Sequence, residues 1–298
     1  MSRLVTTWRK CNRPLRAWLV AATLGLPASA WPAETLKVFV SVDMEGVTGV
    51  VHTDEVRRGK TDYEYFREIM TREANAAIEG AIAAGATDVL VRDTHGGMNH
   101  LLPELLDKRA RVVRGATHPQ SMMVSMEGFD ASFDAVVLIA YHAPAGYPNS
   151  VLPHTMSDNV VDFRINGVSL SEAGYSALIA GVHDVPVVMI SGDKAACEEA
   201  RQVLGRNLEA VAVKEALNGG AINLHPEVAR TMIREAVERG VRNRAQFRPF
   251  KLRAPYTATL KVAKQGPLMR DAYLNERGEI EFKSPDLLKA LNALVQMW

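Results

Sequence analysis

The chain has 298 residues, 47% of them hydrophobic and 23% charged, with a formal net charge of +1. That composition belongs to an ordinary globular chain with room for one large domain or two smaller ones. The near-neutral balance gives no electrostatic case for nucleic acid or an anionic membrane surface, and no finger, homeodomain or RNA-binding motif is present.

The first segment, MSRLVTTWRKCNRPLR, carries Arg3, Arg9, Lys10, Arg13 and Arg16 and no acid. AWLVAATLGLPASA follows, a short apolar stretch ending in small residues at Ala28 and Ala30. Basic, then apolar, then an A-x-A site is the layout of a secretory signal, with cleavage after Ala30 or Ala33. The expected mature chain therefore begins near residue 34 and works in the periplasm or outside the cell. The apolar stretch is short for a bilayer span. Cys11 lies in the removed segment, which leaves Cys197 alone, without an internal disulfide partner. A mature chain of about 265 residues buries an adequate core without one.

Beyond the signal, strand-like runs at 36–42, 88–92, 111–114, 134–141, 185–190 and 210–213 alternate with helical patterns at 62–84, 170–180, 194–204, 226–239 and 285–297. The runs are rich in Val and Ile and almost continuously apolar, as in strands buried on both faces of a parallel sheet. Thr61 and Glu64 have the spacing of a capping box for the first helix, and Gly85 stands where a C-terminal glycine belongs. The alternation predicts a three-layer α/β/α fold with a mostly parallel sheet. From about residue 248 the pattern changes to YTATLKVA, the turn NERGEI and a last helix, which predicts a smaller C-terminal α+β extension of the 34–298 catalytic domain.

Polar residues gather at one end of this predicted sheet. Asp43 and Glu45, in SVDMEG, follow the first strand; Asp93 and His95, in RDTHGG, follow the second; His142, in IAYHAPAG, follows the 134–141 strand. Ligands of open α/β sheets bind outside the carboxyl ends of the strands. Asp43 and Glu45, two apart in extended chain, point to one side, and like charges so close need something positive between them. By contrast His183 precedes its strand, His118 and His225 each precede a proline near a helix start, and His52 and His100 sit in loops without a clear role. His154, in a loop, and Glu172, opening a helix, follow the His142 loop and could fold back over it.

Carboxylates and imidazoles in one cleft imply a divalent metal. Mixed ligation suits zinc, and also manganese or iron, better than calcium or magnesium. Five ligands with a shared carboxylate would suit two metals roughly 3.5–4 Å apart.

SVDMEG at 41–46, DTHGGMNH at 93–100, GFDASFDAVVLIAYHAPAG at 128–146, PHTMS around His154 and SEAGYSA at the Glu172 helix resemble, in that order, the D-aminopeptidase family of dinuclear zinc peptidases, family M55. The resemblance runs from about Leu36 to Asp193 and thins beyond residue 200. It implies an aminopeptidase that releases N-terminal D-residues, D-Ala preferred, with two Zn2+ per subunit. It also implies Asp43, Glu45, His95, His142 and Glu172 as zinc ligands, His154 in the catalytic role, and a homo-oligomer that is a decamer in the family. DTH stands where the family has a DSH-type motif, and a secretory signal is unusual beside a cytoplasmic relative. Two other readings are another metal-dependent amidase or esterase on the same scaffold, and a periplasmic peptide-binding protein, which would need neither metal nor His154. The expected partners are small peptides containing D-amino acids, with no nucleic acid and, after signal removal, no membrane.

Overall fold

The first strand shows how the sheet is built. In β1 (Lys37–Val42), Val38, Val40 and Val42 enter one hydrophobic cluster and Phe39 enters another, so both faces are covered. This computed structural model describes, besides Met1, residues 35–116 and 123–297; the expected signal and His118 lie outside them.

In chain order the elements are β1, α1 (Tyr63–Ala83), β2 (Asp88–Asp93), β3 (Arg111–Val113), β4 (Ala135–Tyr141), β5 (Val160–Ile165) and β6 (Val168–Ser169). Then come α2 (Glu172–Val182), β7 (Val187–Asp193), α3 (Lys194–Leu204), β8 (Glu209–Leu217), β9 (Gly220–Asn223) and α4 (Pro226–Arg242). β10 (Tyr256–Val262), β11 (Tyr273–Leu274), β12 (Ile280–Ser284) and α5 (Leu287–Val295) complete the chain. Among the described residues, seven strands form the main sheet in the order β3-β2-β1-β4-β7-β8-β9, parallel except for β9 at the edge. Helices α1 and α4 contribute to the cluster on one face, while α2, α3 and α5 contribute to the other, which gives the expected three layers. The chain winds outward from β1 through β2 to β3, then returns to the other side at β4. The β1–β4 boundary is therefore the point where the winding reverses, and a ligand crevice is expected above it.

One local expectation needs correction. Thr61 and Glu64 do not form a capping box: α1 starts after Asp62, in a left-handed conformation (φ 62°) without a side-chain cap, and Glu64 instead pairs with Arg67 at 3.2 Å. The capping box belongs to His52 and Glu55, on a short 3₁₀ turn at Thr53–Val56. At the other end Gly85 (φ 101°) closes α1 as expected, its N–H donating to the Ile82 carbonyl while Ala86 N–H donates to Ala81.

The C-terminal extension is α+β as expected, and it shares its sheet with β5 and β6. β10 pairs antiparallel with β5 and with β12, giving a second sheet in the order β11-β12-β10-β5-β6. Asn166–Gly167 and Asn218–Gly219 make the tight turns of β5–β6 and β8–β9, all four residues with positive φ.

Candidate metal centre

The strand ends deliver their side chains because neighbouring backbones lock together there. Asp43 N–H donates to the Ile139 carbonyl at 2.9 Å and Gly46 N–H to Ala140 at 2.8 Å, which lays the SVDMEG loop across the end of β4. A Cβ on Gly46 would stand 2.2 Å from the Tyr141 carbonyl oxygen, and one on Gly192, in β7, 1.9 Å from the same oxygen. Both positions need glycine for this approach. Ala140 has φ 60°, the β4–β7 register slips beside it, and Ser191 Oγ accepts its N–H at 3.1 Å. That irregularity turns His142 toward the site, a common use of bulges. At the end of β2, Thr94 gives both its N–H and its hydroxyl to the Val42 carbonyl, each at 2.9 Å, which places His95 against the β1 loop.

The 143–159 segment then folds back. Asp193 Oδ2 accepts Val151 N–H at 2.8 Å, and the His154 imidazole stacks on His142 with centroids 3.9 Å apart and planes 9° from parallel. Ser171 caps α2 by accepting Gly174 N–H, and its hydroxyl donates to Glu199 at 2.8 Å. Glu172, the first residue of α2, accepts Met156 N–H at 2.7 Å and reaches His142 Nε2 at 3.3 Å, so it does more than balance a helix dipole.

Six of the seven polar residues singled out in the sequence meet here. Asp43, Glu45 and His95 form one group and His142, His154 and Glu172 another, with the potential ligand atoms of each group within 4.8 Å of one another. His95 Nδ1 lies 3.0 Å from Glu45 Oε2 and 3.4 Å from Asp43 Oδ1, and His142 Nε2 lies 3.3 Å from Asp43 Oδ2. His154 Nε2 spans both groups, 3.9 Å from Glu45 and 3.8 Å from Glu172. Asp93 stays out: its Oδ2 accepts the N–H groups of His100 and Leu101 at 2.6 and 2.7 Å and so supports the loop that follows His95.

Whether this constellation fits a metal can be judged from its lone pairs. Each imidazole faces a backbone carbonyl through one nitrogen: His95 Nε2 to Val56, His142 Nδ1 to Ala143 and His154 Nδ1 to Leu152, at 2.9 to 3.0 Å. A carbonyl only accepts, so those nitrogens carry the protons and the others turn bare lone pairs toward carboxylates. Buried Asp43 Oδ2 and His142 Nε2 have no hydrogen-bond partner among the described residues. Two facing acceptors require a positive charge between them, either a proton or a cation. Without a cation, protons serve. Burial works against charge, yet Glu45 and Asp43 push His95 well above its usual value, and Glu172 and Asp43 do the same to His142. Conversely, despite burial, contact with His142 and His95 holds Asp43 well below the usual carboxylate range, and Glu45 and Glu172 are lowered by His95 and His142 respectively. Nitrogen and oxygen donors in this mixture fit zinc.

Sequence reasoning missed the buried groups behind the loop. Lys214 in β8 donates to the carbonyls of Glu45, Val47 and Val50 at 2.5, 3.0 and 2.6 Å, and burial pushes its ammonium down to about 8. Glu73 in α1 accepts Thr48 N–H at 3.0 Å, and burial pushes its carboxyl up to about 7. The available signal was a single lysine inside the apolar run VAVKEA. His100 is also buried, its Nδ1 2.8 Å from the Tyr63 hydroxyl and its ring 4.6 Å from His95; burial lowers it to about 4.

A family model described as D-aminopeptidase, peptidase M55, matches residues 36–294. The chain belongs to this family. The family match continues through the C-terminal segment, where the motif resemblance is thin. The D-aminopeptidase of Bacillus subtilis (strain 168) is 34% identical over 269 residues, covering 88% of this chain and 96% of that one. Among solved structures, the Zn-dependent D-aminopeptidase DppA from Bacillus subtilis, a self-compartmentalizing protease, superposes with a TM-score of 0.83 at 31% identity. That superposition covers 87% of this chain and 96% of the other. For this member of the D-aminopeptidase family, the α/β/α fold and the peptidase class read from the sequence both stand.

Proposed function

We propose that the protein is a zinc-dependent aminopeptidase that releases N-terminal D-residues, D-Ala foremost, from short peptides. Asp43, Glu45, His95, His142 and Glu172 would hold two zinc ions, and His154 is the catalytic residue. The observation that carries this reading is the convergence of three bare imidazole nitrogens on three carboxylates at the strand ends. When bound, the metal would polarise the scissile carbonyl and lower the pKa of bound water. His154 supplies the remaining chemistry. Its side chain is 24% exposed against 1% for His142, and it lines a cavity of about 490 Å3 beside Glu45 and His95. With Nδ1–H held by the Leu152 carbonyl, its Nε2 lone pair is free to attack the carbonyl, or to take a proton from the attacking water and pass it to the leaving amine.

The basic, apolar and small-residue sequence of 1–33 supports export, so the working enzyme would be 34–298 in the periplasm or outside the cell, where D-Ala peptides from cell wall are accessible. Among the described residues no helix is long and apolar enough to cross a membrane. The self-compartmentalizing neighbour supports a homo-oligomer, a decamer by family resemblance. Metal analysis of the purified protein, coupled to hydrolysis of D-Ala and L-Ala amides and an ester side by side, tests the proposal. We expect bound zinc and preferential cleavage of the D-Ala amide. A metal-free, inert protein that binds dipeptides would make it a binding protein, and ester cleavage alone another hydrolase.

A further inference from the structure

The cavity beside the metal centre passes from buried side chains to exposed ones along its depth. Its floor is formed by Glu45, His95 and His154, and its rim carries Arg57 and Asp158. Among the described residues that line it, Arg57 is the only lysine or arginine. Its backbone follows directly on Val56, whose carbonyl accepts His95 Nε2–H at 2.9 Å, so Arg57 is one residue along the chain from a group that touches the centre. Its partner is Asp158, which the His154 loop brings to 3.5 Å. The two side chains are 56% and 86% exposed, so this pair contributes little and separates easily.

We infer that Arg57 is a specificity residue that binds the free C-terminal carboxylate of very short peptides, with Asp158 holding its place until substrate enters. This deepens the aminopeptidase reading and rests on it. An aminopeptidase substrate puts its scissile carbonyl at the metal centre, and in a dipeptide the carboxylate follows one residue later. Two extended residues span about 7 Å, a scale that this cavity accommodates. A planar guanidinium binds a carboxylate through two parallel N–H donors, which a single 3.5 Å contact to Asp158 does not match. A C-terminal amide lacks the charge, and a longer peptide carries its carboxylate past the guanidinium.

The test compares D-Ala-Gly with D-Ala-Gly amide on the metal-loaded wild type, Arg57→Gln and Asp158→Asn. Equilibrium binding of the unreactive reduced-amide isostere, as free acid and as C-terminal amide, is measured in parallel. The wild type should favour the acid by about 10-fold or more, through KM and through isostere affinity. Arg57→Gln should abolish that preference in both measurements, and Asp158→Asn should widen it. Equal use of acid and amide by the wild type, or a preference surviving in Arg57→Gln at unchanged Tm, overturns the inference. If the wild type cleaves neither substrate, the aminopeptidase reading fails, while isostere binding still decides the role of Arg57.

Discussion

At the scale of single residues, the six side chains of the centre differ in what they can lose. Asp43 faces both His95 and His142, at 3.4 and 3.3 Å, so it stands where the two groups join. His154 approaches carboxylates only at 3.8 Å or more and keeps a quarter of its surface open. Asp43→Ala should therefore lose bound metal together with activity. His154→Ala should keep the metal and lose turnover by about 10²-fold or more, the scale of a lost proton-transfer group. Metal content and kcat measured on the same preparations check this pair, and equal metal loss in both variants would make His154 a ligand. These six were legible because each follows an apolar run or sits in a short motif. Lys214 was not, because its role depends on three carbonyls of a loop some 165 residues away in sequence.

At the scale of elements, the site depends on how closely strand ends approach. Gly46 and Gly192 both face the Tyr141 carbonyl, so an added methyl meets backbone that cannot rotate away. Gly46→Ala should push the Asp43–Glu45 loop off β4, reduce metal content and cost about 1–3 kcal/mol of stability, the usual range for overpacking. Metal analysis and urea denaturation measure the two effects, and a fully loaded variant of wild-type stability would contradict the packing assigned here. The start of α2 has its own brace in Glu199 of α3, which accepts the Ser171 hydroxyl. Burial pushes the Glu199 carboxyl from 4.5 up to about 7. A carboxyl raised in the folded state gives stability that is complete below its unfolded pKa and lost as pH rises through its folded one. Stability should thus decline from about pH 4.5 to about pH 7, with a Glu199 share on the order of 3 kcal/mol. Glu73, His95 and His142 are raised as well, so Glu199→Gln should flatten part of the slope and leave the rest. Denaturation free energies measured across that range decide it, and an unchanged slope would place the loss elsewhere.

At the scale of the molecule, what could be read from the sequence followed the length scale of each interaction. The runs that became β1, β2, β4 and β7 are apolar on both faces, and α3 and α4 carry local start signals, so neighbours in sequence sufficed. The second sheet escaped because β5 is a half-buried strand, with Asp162 and Arg164 between its buried Val160, Phe163 and Ile165, and its partner β10 lies about 95 residues on. The Asn166–Gly167 turn was its one local sign. The metal centre combines both kinds of information, since strand ends converge by topology while the His154 loop and the Glu172 helix return from later in the chain. A bound ion would therefore tie together β1, β2, β4, the return loop and α2. Chelation should lower Tm and added zinc restore it. With free zinc a thousandfold above its dissociation constant the linkage is worth about 4 kcal/mol, or about 10 °C for a domain of this size. Protons compete for the same lone pairs, because His95 and His142 are raised when no cation separates the carboxylates. Acid thus supplies part of the missing positive charge to the metal-free protein and weakens metal binding at the same time. The Tm difference between loaded and chelated protein should shrink as pH falls, which scanning calorimetry at several pH values measures. A chelated protein that melts with the loaded one at pH 8 would mean that these five segments hold together without an ion.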